Sequence, residues 1–312
     1  MMILTVTMNP SVDISYSVQD FKLNDVNRVE KARKTAGGKG LNVARVIKLL
    51  GEDVLATGVL GGTIGDYITQ ELMKNEIKND FFRIDQESRN CIAILHDGKQ
   101  TEILESGPTI LVEEGKVFLE KFREQLAEAS LVTISGSLPK GLESGFYRQM
   151  VEIGWENGIP VIVDTSGESL RQVLLHEVKP FAIKPNIDEL SHLLNMEVDE
   201  SMNGLKQLLN NELFHGIELI VISMGGVGAF VKHEEDYYRV TIPGIDVVNP
   251  VGSGDATVAG IAVALKRKQT VQDILKTAMT TGMLNTMEAE TGYINLAKFD
   301  SLFDLVKVTK VD

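Results

Sequence analysis

Cysteine is nearly missing from this 312-residue chain: Cys91 stands alone, so no disulfide framework can form within it. One cysteine and five scattered histidines also leave no ligand spacing for zinc. Positive charge is in deficit. Lys and Arg number 31 against 44 Asp and Glu, and the formal net charge of −13 argues against nucleic acid or an anionic membrane as partner. Any positive field needed for an anionic ligand must therefore be local. No segment approaches the ~20 consecutive apolar residues of a membrane span. The opening MMILTVTM is apolar but short, with no basic region before it and no cleavage site after it, and reads as a buried first strand. These absences together predict a reduced, cytoplasmic protein.

Two nucleotide fingerprints are missing as well. A dehydrogenase needs Gly-x-Gly-x-x-Gly directly after the first strand, but here that strand leads into NPSVD. From Gly38 the pattern fails at Val43, and from Gly252 it fails at Thr257. A Walker P-loop needs Gly-Lys followed by Ser or Thr, whereas Gly38-Lys39 is followed by Gly40. A nicotinamide oxidoreductase is thereby disfavoured.

What is present is a large apolar fraction, 43 %, organised as strands alternating with helical patterns. Strands are predicted at 3–7, 54–62, 131–137, 160–167 and 181–186, with two more around a glycine turn at 217–231. Helices are predicted at 41–51, 146–158, 188–195 and 256–267. Strand–helix–strand succession over this length implies a mostly parallel sheet covered on both faces. Two regions break the pattern. Residues 12–18 with 26–32, and 90–97 with 101–106, read as strand pairs without helices, the second closed by Asp97-Gly98. They predict a small separate sheet, inserted at 11–35 and 88–107, over the edge of the main one. Its partly apolar outer face suits pairing with another subunit.

The most specific stretch is VNPVGSGDATVAG, residues 248–260. Gly252 and Gly254 let successive amides point into one concavity, and a helix starting near Ala256 adds its free N–H groups and dipole. Asp255 sits at the rim of this anion site. On chemistry alone it reads equally as a helix N-cap or as a base beside an anion hole, the pairing that phosphoryl transfer to a hydroxyl requires.

NPVGSGDATVAG, AGGKGLNVARVIKLLG (36–51), KPNIDEL (184–190) and SMGGVGAF (223–230) occur in the order found in carbohydrate kinases of the ribokinase and phosphofructokinase-B type, and the resemblance covers essentially the whole chain. It implies a ribokinase-like α/β/α sandwich of residues 1–312 with a small β-sheet lid. It also implies ATP and Mg²⁺ as cofactors, a sugar phosphate as substrate and a homodimer through the lids. TMNPSVD, SRNCIAILHDGKQTEILESGP and ISGSLPKG most resemble members acting on tagatose 6-phosphate, with fructose 1-phosphate and fructose 6-phosphate as alternatives. By this resemblance Asp255 is the base for the C1 hydroxyl, with a pKa near 4, and Gly252, Ser253 and Gly254 hold the transferred group. Asp13, Gly38, Lys39 and Asn42 meet the sugar. Arg89, ahead of Arg28, meets its phosphate. Lys184, Asn186, Ser223, Gly225, Gly228, Gly282 and Asn285 line the nucleotide site, and Glu189 and Asp164 face the metal. Without the resemblance, Asn42 reads as a helix cap, Glu189 as a first-turn helix acid, Asp13 as a turn residue, and the arginines and Lys39 as solvated. A sugar-phosphate sensor that has lost catalysis is a competing reading on the same scaffold.

Overall fold

The computed structural model describes residues 1–30 and 32–311. Its main sheet has strands in the spatial order Lys307–Val311, Asp236–Thr241, Ala229–His233, Leu219–Ser223, Ala182–Ile183, Val161–Asp164, Ala129–Ser135, Met2–Thr7, Val54–Gly61 and Lys78–Asn79. Phe82–Ile84 also pairs with Val54–Gly61. Pairing is parallel from Leu219–Ser223 through to Lys78–Asn79 and antiparallel in the last three strands on the other side.

Alternation along the strands sends apolar residues to both faces. Leu219 and Val221 join one core and Ile220 and Ile222 the other. The first core is closed by helices Lys39–Leu49, Gly62–Lys74, Ser253–Lys266 and Val271–Thr286. The second is closed by Val112–Gln125, Phe146–Glu156, Gly167–Leu175, Ile187–Leu194 and Met202–Leu209. The 253–266 helix is buried from Asp255 to Ala264, which fits its apolar surface on every side. Gly260 lets the 271–286 helix approach it, since a Cβ there would lie 2.3 Å from Thr281 Oγ1.

The small sheet has the order Ala32–Gly37, Ser11–Ser17, Arg89–His96, Lys99–Leu104. The expected hairpin forms, with Asp97 at φ 49° and Gly98 at φ 69° in its turn. The partner of the first strand does not lie at 26–32. It is Ala32–Gly37, in register from Ser11↔Gly37 to Tyr16↔Ala32. Residues 22–27 are held instead as a local loop, in which Asn27 bonds both the amide and the carbonyl of Lys22 and Asn24 has φ 59°. Lys31, inside the expected strand, lies outside the described residues.

Candidate active site

Parallel strands leave their carboxyl ends on one side, where α/β folds bind ligands. Here a cleft of ≈ 2320 Å³ opens between those ends and the small sheet. Its floor is the start of the 253–266 helix. The cap is Gly252 at φ 83°, and Asp255 falls inside the first turn, so it is not the cap. Of the first-turn amides, that of Ser253 donates to the Pro250 carbonyl at 3.3 Å, while those of Gly254 and Asp255 have no acceptor among the described residues and stand at the cleft with the positive end of the helix dipole.

Asp255 is 6 % exposed, and its Oδ2 accepts a 2.8 Å hydrogen bond from Asn42 Nδ2. Burial, reinforced by the nearby Asp164 charge, pushes its carboxyl up to about 7, against the Asn42 hydrogen bond and the charges of Lys39 and Lys184. This corrects the ordinary value near 4 expected from sequence and makes the residue a stronger base.

Asp164 ends its strand almost fully buried, with Oδ1 3.3 Å from Lys184 Nζ and Oδ2 3.7 Å from Lys39 Nζ. Burial would raise its pKa, but the two lysines overcome it and hold the carboxyl below its usual range. The Asp164 charge in turn raises Lys39. Lys184 passes over Gly254, whose missing Cβ would stand 3.1 Å from its Nζ. Lys39 and Lys184 thus bring two positive charges to the cleft of an acidic molecule, with the Asp164 carboxylate against both.

Asp13 lies on the Ser11–Ser17 strand of the small sheet, not in a turn. It faces Gly37, where any Cβ would overlap its carboxyl group. Burial raises its pKa, against a 2.7 Å bond from Ser11 Oγ and the charges of Arg45 and Arg89. Gly38, at φ 104°, caps the Lys39–Leu49 helix and packs against Pro10. Arg89 Nε donates to the Asn9 carbonyl and Nη1 to the Glu105 carbonyl, which leaves Nη2 with no acceptor among the described residues.

Asn186 and Glu189 form a reciprocal capping box: Glu189 N donates to Asn186 Oδ1 at 2.7 Å and Asn186 N to Glu189 Oε2 at 3.0 Å. Glu189 Oε1 remains toward the cleft, 4.0 Å from Lys39 Nζ. Ser223, Gly225, Gly228 and Gly282 also line the cleft. Gly228, at φ 102°, admits the Val240 carbonyl where a Cβ would overlap it.

Two of the expected residues lie outside the cleft lining. Asn285 is fully buried and does not line the cleft. Its Nδ2 donates to the Val251 carbonyl and its Oδ1 accepts from Gly292 N, so it braces the glycine turn rather than flanking a base. Arg28 is exposed, belongs to no strand and lies outside the cleft lining. Sequence reasoning missed Arg45, whose signal was a charge inside the apolar run LNVARVIKLL, three residues after Asn42 on the same helix face.

No cluster of three or more His, Cys, Asp or Glu able to hold a metal occurs among the described residues. The site fits a metal that arrives with its substrate. Mg²⁺ takes one or two carboxylates plus phosphates and water, and Asp164 Oδ2 is buried with no hydrogen bond, only the Lys39 ammonium 3.7 Å away.

A helix start with unpaired amides, a buried carboxylate of raised basicity and a small sheet over both make a cleft suited to phosphoryl transfer. Residues 6–297 match the pfkB family of carbohydrate kinases, and the chain belongs to that family. A Staphylococcus aureus protein provisionally designated a phosphofructokinase is 30 % identical, with a TM-score of 0.86 over 100 % of this chain and 99 % of that one. A Thermotoga maritima protein provisionally designated a 1-phosphofructokinase is 26 % identical, with a TM-score of 0.90 over 100 % of both chains. Phosphofructokinase-2 from Escherichia coli, at 24 % identity, shares the ribokinase-like fold with a TM-score of 0.89 over 97 % of this chain and 99 % of that one. No helix among the described residues is long and apolar enough to cross a membrane.

Proposed function

We propose that this kinase transfers the γ-phosphoryl group of ATP to the C1 hydroxyl of D-tagatose 6-phosphate, giving the 1,6-bisphosphate. That makes it a tagatose-6-phosphate kinase, acting in the cytoplasm in lactose and galactose breakdown. The observation that carries the transfer chemistry is Asp255, buried in the first turn of an anion-binding helix and held by Asn42. Asp255 takes the hydroxyl proton as the C1 oxygen attacks phosphorus. The amides of Gly252, Ser253 and Gly254 hold the equatorial oxygens, and Lys184 balances their charge. Asp13, Gly38, Lys39 and Asn42 orient the sugar, and the free Nη2 of Arg89 meets its 6-phosphate. Asn186, Ser223, Gly225, Gly228 and Gly282 border the nucleotide. Mg²⁺, when bound, neutralises phosphate charge, and Glu189 and Asp164 would hold it through water. The small sheet acts as the lid, excluding water that would otherwise hydrolyse ATP.

The substrate rests on TMNPSVD, SRNCIAILHDGKQTEILESGP and ISGSLPKG. A second reading, 1-phosphofructokinase or fructose-6-phosphate kinase, is favoured by the similarity to the Staphylococcus and Thermotoga proteins. ADP release measured with tagatose 6-phosphate, fructose 6-phosphate and fructose 1-phosphate under one set of conditions decides between them. The highest kcat/KM is expected with tagatose 6-phosphate. Preference for either fructose phosphate installs the second reading, and no sugar-dependent ADP with any of them leaves a sensor. Arg89→Ala should raise the sugar KM about tenfold or more, as loss of a charge-assisted hydrogen bond implies, with the ATP KM unchanged. An equal rise in both removes the 6-phosphate assignment.

A further inference from the structure

Arg45 follows Asn42 by one helical turn and takes no part in the chemistry just described. It is 8 % exposed, and its hydrogen-bond acceptors are all neutral. Nη1 donates to Asn42 Oδ1 at 3.1 Å and to the Thr291 carbonyl at 2.9 Å, and Nη2 to the Ala36 carbonyl at 2.5 Å. The carboxylates that act on it, Glu290, Asp13, Asp255 and Glu71, do so without forming an ion pair among the described residues. A buried guanidinium that forgoes ion pairing is costly. The fold nevertheless makes room for it: a Cβ on Gly292, at φ 70°, would lie 2.5 Å from Nη1.

A carboxamide has one accepting and one donating end, and a guanidinium can only donate. Arg45 can therefore hold Asn42 only by Oδ1, which leaves the amide NH₂ for Asp255. We propose that Arg45 is a positioning residue for phosphoryl transfer: it locks the Asn42 amide with its NH₂ toward Asp255 and so keeps that carboxylate aimed at the acceptor hydroxyl. A flipped amide would set oxygen against carboxylate and turn the base away. Thr291 and Ala36 anchor the other prongs of the fork, so the lock is referenced to the loop after the last long helix and to the root of the small sheet.

This inference rests on Asp255 being the base, and the test keeps the two apart. Turnover is measured at one pH with the sugar phosphate selected by the substrate panel, and normalised to folded protein by circular dichroism. Arg45→Met and Asn42→Ala are each expected to lower kcat about ten- to hundredfold, a coupling size typical of residues sharing one network, with the ATP KM unchanged. The double variant should be no slower than Asn42→Ala alone, within about twofold, because Arg45 acts through Asn42. Arg45→Lys keeps the charge but lacks the fork, should fall between wild type and Arg45→Met, and carries the same cycle if Arg45→Met does not fold. Multiplicative losses in the double variant, or near-normal kcat in Arg45→Met, overturn the proposal. Undiminished turnover in Asp255→Asn overturns the base itself, whatever Arg45 does.

Discussion

Asp255 sits between opposing influences: burial and Asp164 favour its neutral form, while Asn42, Lys39 and Lys184 favour its charge. The balance places its titration at about 7. As the proposed base, Asp255 must be deprotonated to act, so kcat/KM should rise about tenfold per pH unit below that point and level off above it, read from initial rates across pH 5.5 to 9. The same carboxyl carries a stability cost. Its folded pKa lies above the unfolded value of 3.8, so ionisation opposes folding. The penalty is absent below the unfolded value, grows as pH rises through the interval and is complete above the folded value. Asp255→Asn removes it. Its stability gain over wild type should be about 2–3 kcal/mol larger at pH 8 than at pH 5, measured by denaturant melts at each pH. Turnover in the same variant should fall roughly 10²–10⁴-fold.

The turn before the 253–266 helix shows how far an element can be read in advance. Two glycines ahead of an apolar run announce a strained turn and a helix start, and Gly252 at φ 83° is that turn. The helix begins at Ser253 and not near Ala256, because Gly252 itself caps it, and that shift moves Asp255 from cap to cleft. Gly252→Ala meets two obstacles, the positive φ and a Thr291 methyl 2.5 Å from the new Cβ. It should cost about 1–3 kcal/mol of stability and depress kcat together. Gly158→Ala, at φ 66° with open space around it, is the control: thermal melts should show the backbone penalty while kcat stays normal. Elements marked by alternation or glycine were legible. The Ala32–Gly37 strand was not, because its sequence ARKTAG has no apolar alternation and its pairing is decided by the Ser11–Ser17 strand beside it. Asn285 was misread for a related reason: a polar residue on a helix does not disclose whether it serves a ligand or two main-chain groups of its own chain.

At the scale of the whole molecule, the order of elements and the two-sided sheet follow from periodicity, whereas the contacts that join residues 200 apart do not. Asn42 and Asp255 are separated by 213 positions, and neither carries a mark of the other. The outermost strand of the small sheet, Lys99–Leu104, is exposed along its length, with Ile103 at 54 % and Leu104 at 60 %. A free edge of this kind invites a second copy. If the chain dimerises there, sedimentation should give twice the 34.3 kDa chain mass, and Ile103→Lys with Leu104→Lys should return it to the single-chain value. The first strand has a consequence for biosynthesis. Met2–Thr7 precedes in sequence the two strands that flank it, Val54–Gly61 and Ala129–Ser135, yet it occupies the interior of the sheet between them. Its second flank stays bare until Ala129–Ser135 has been made, so nascent chains halted before that point display an apolar ribbon, a natural target for chaperones and for self-association.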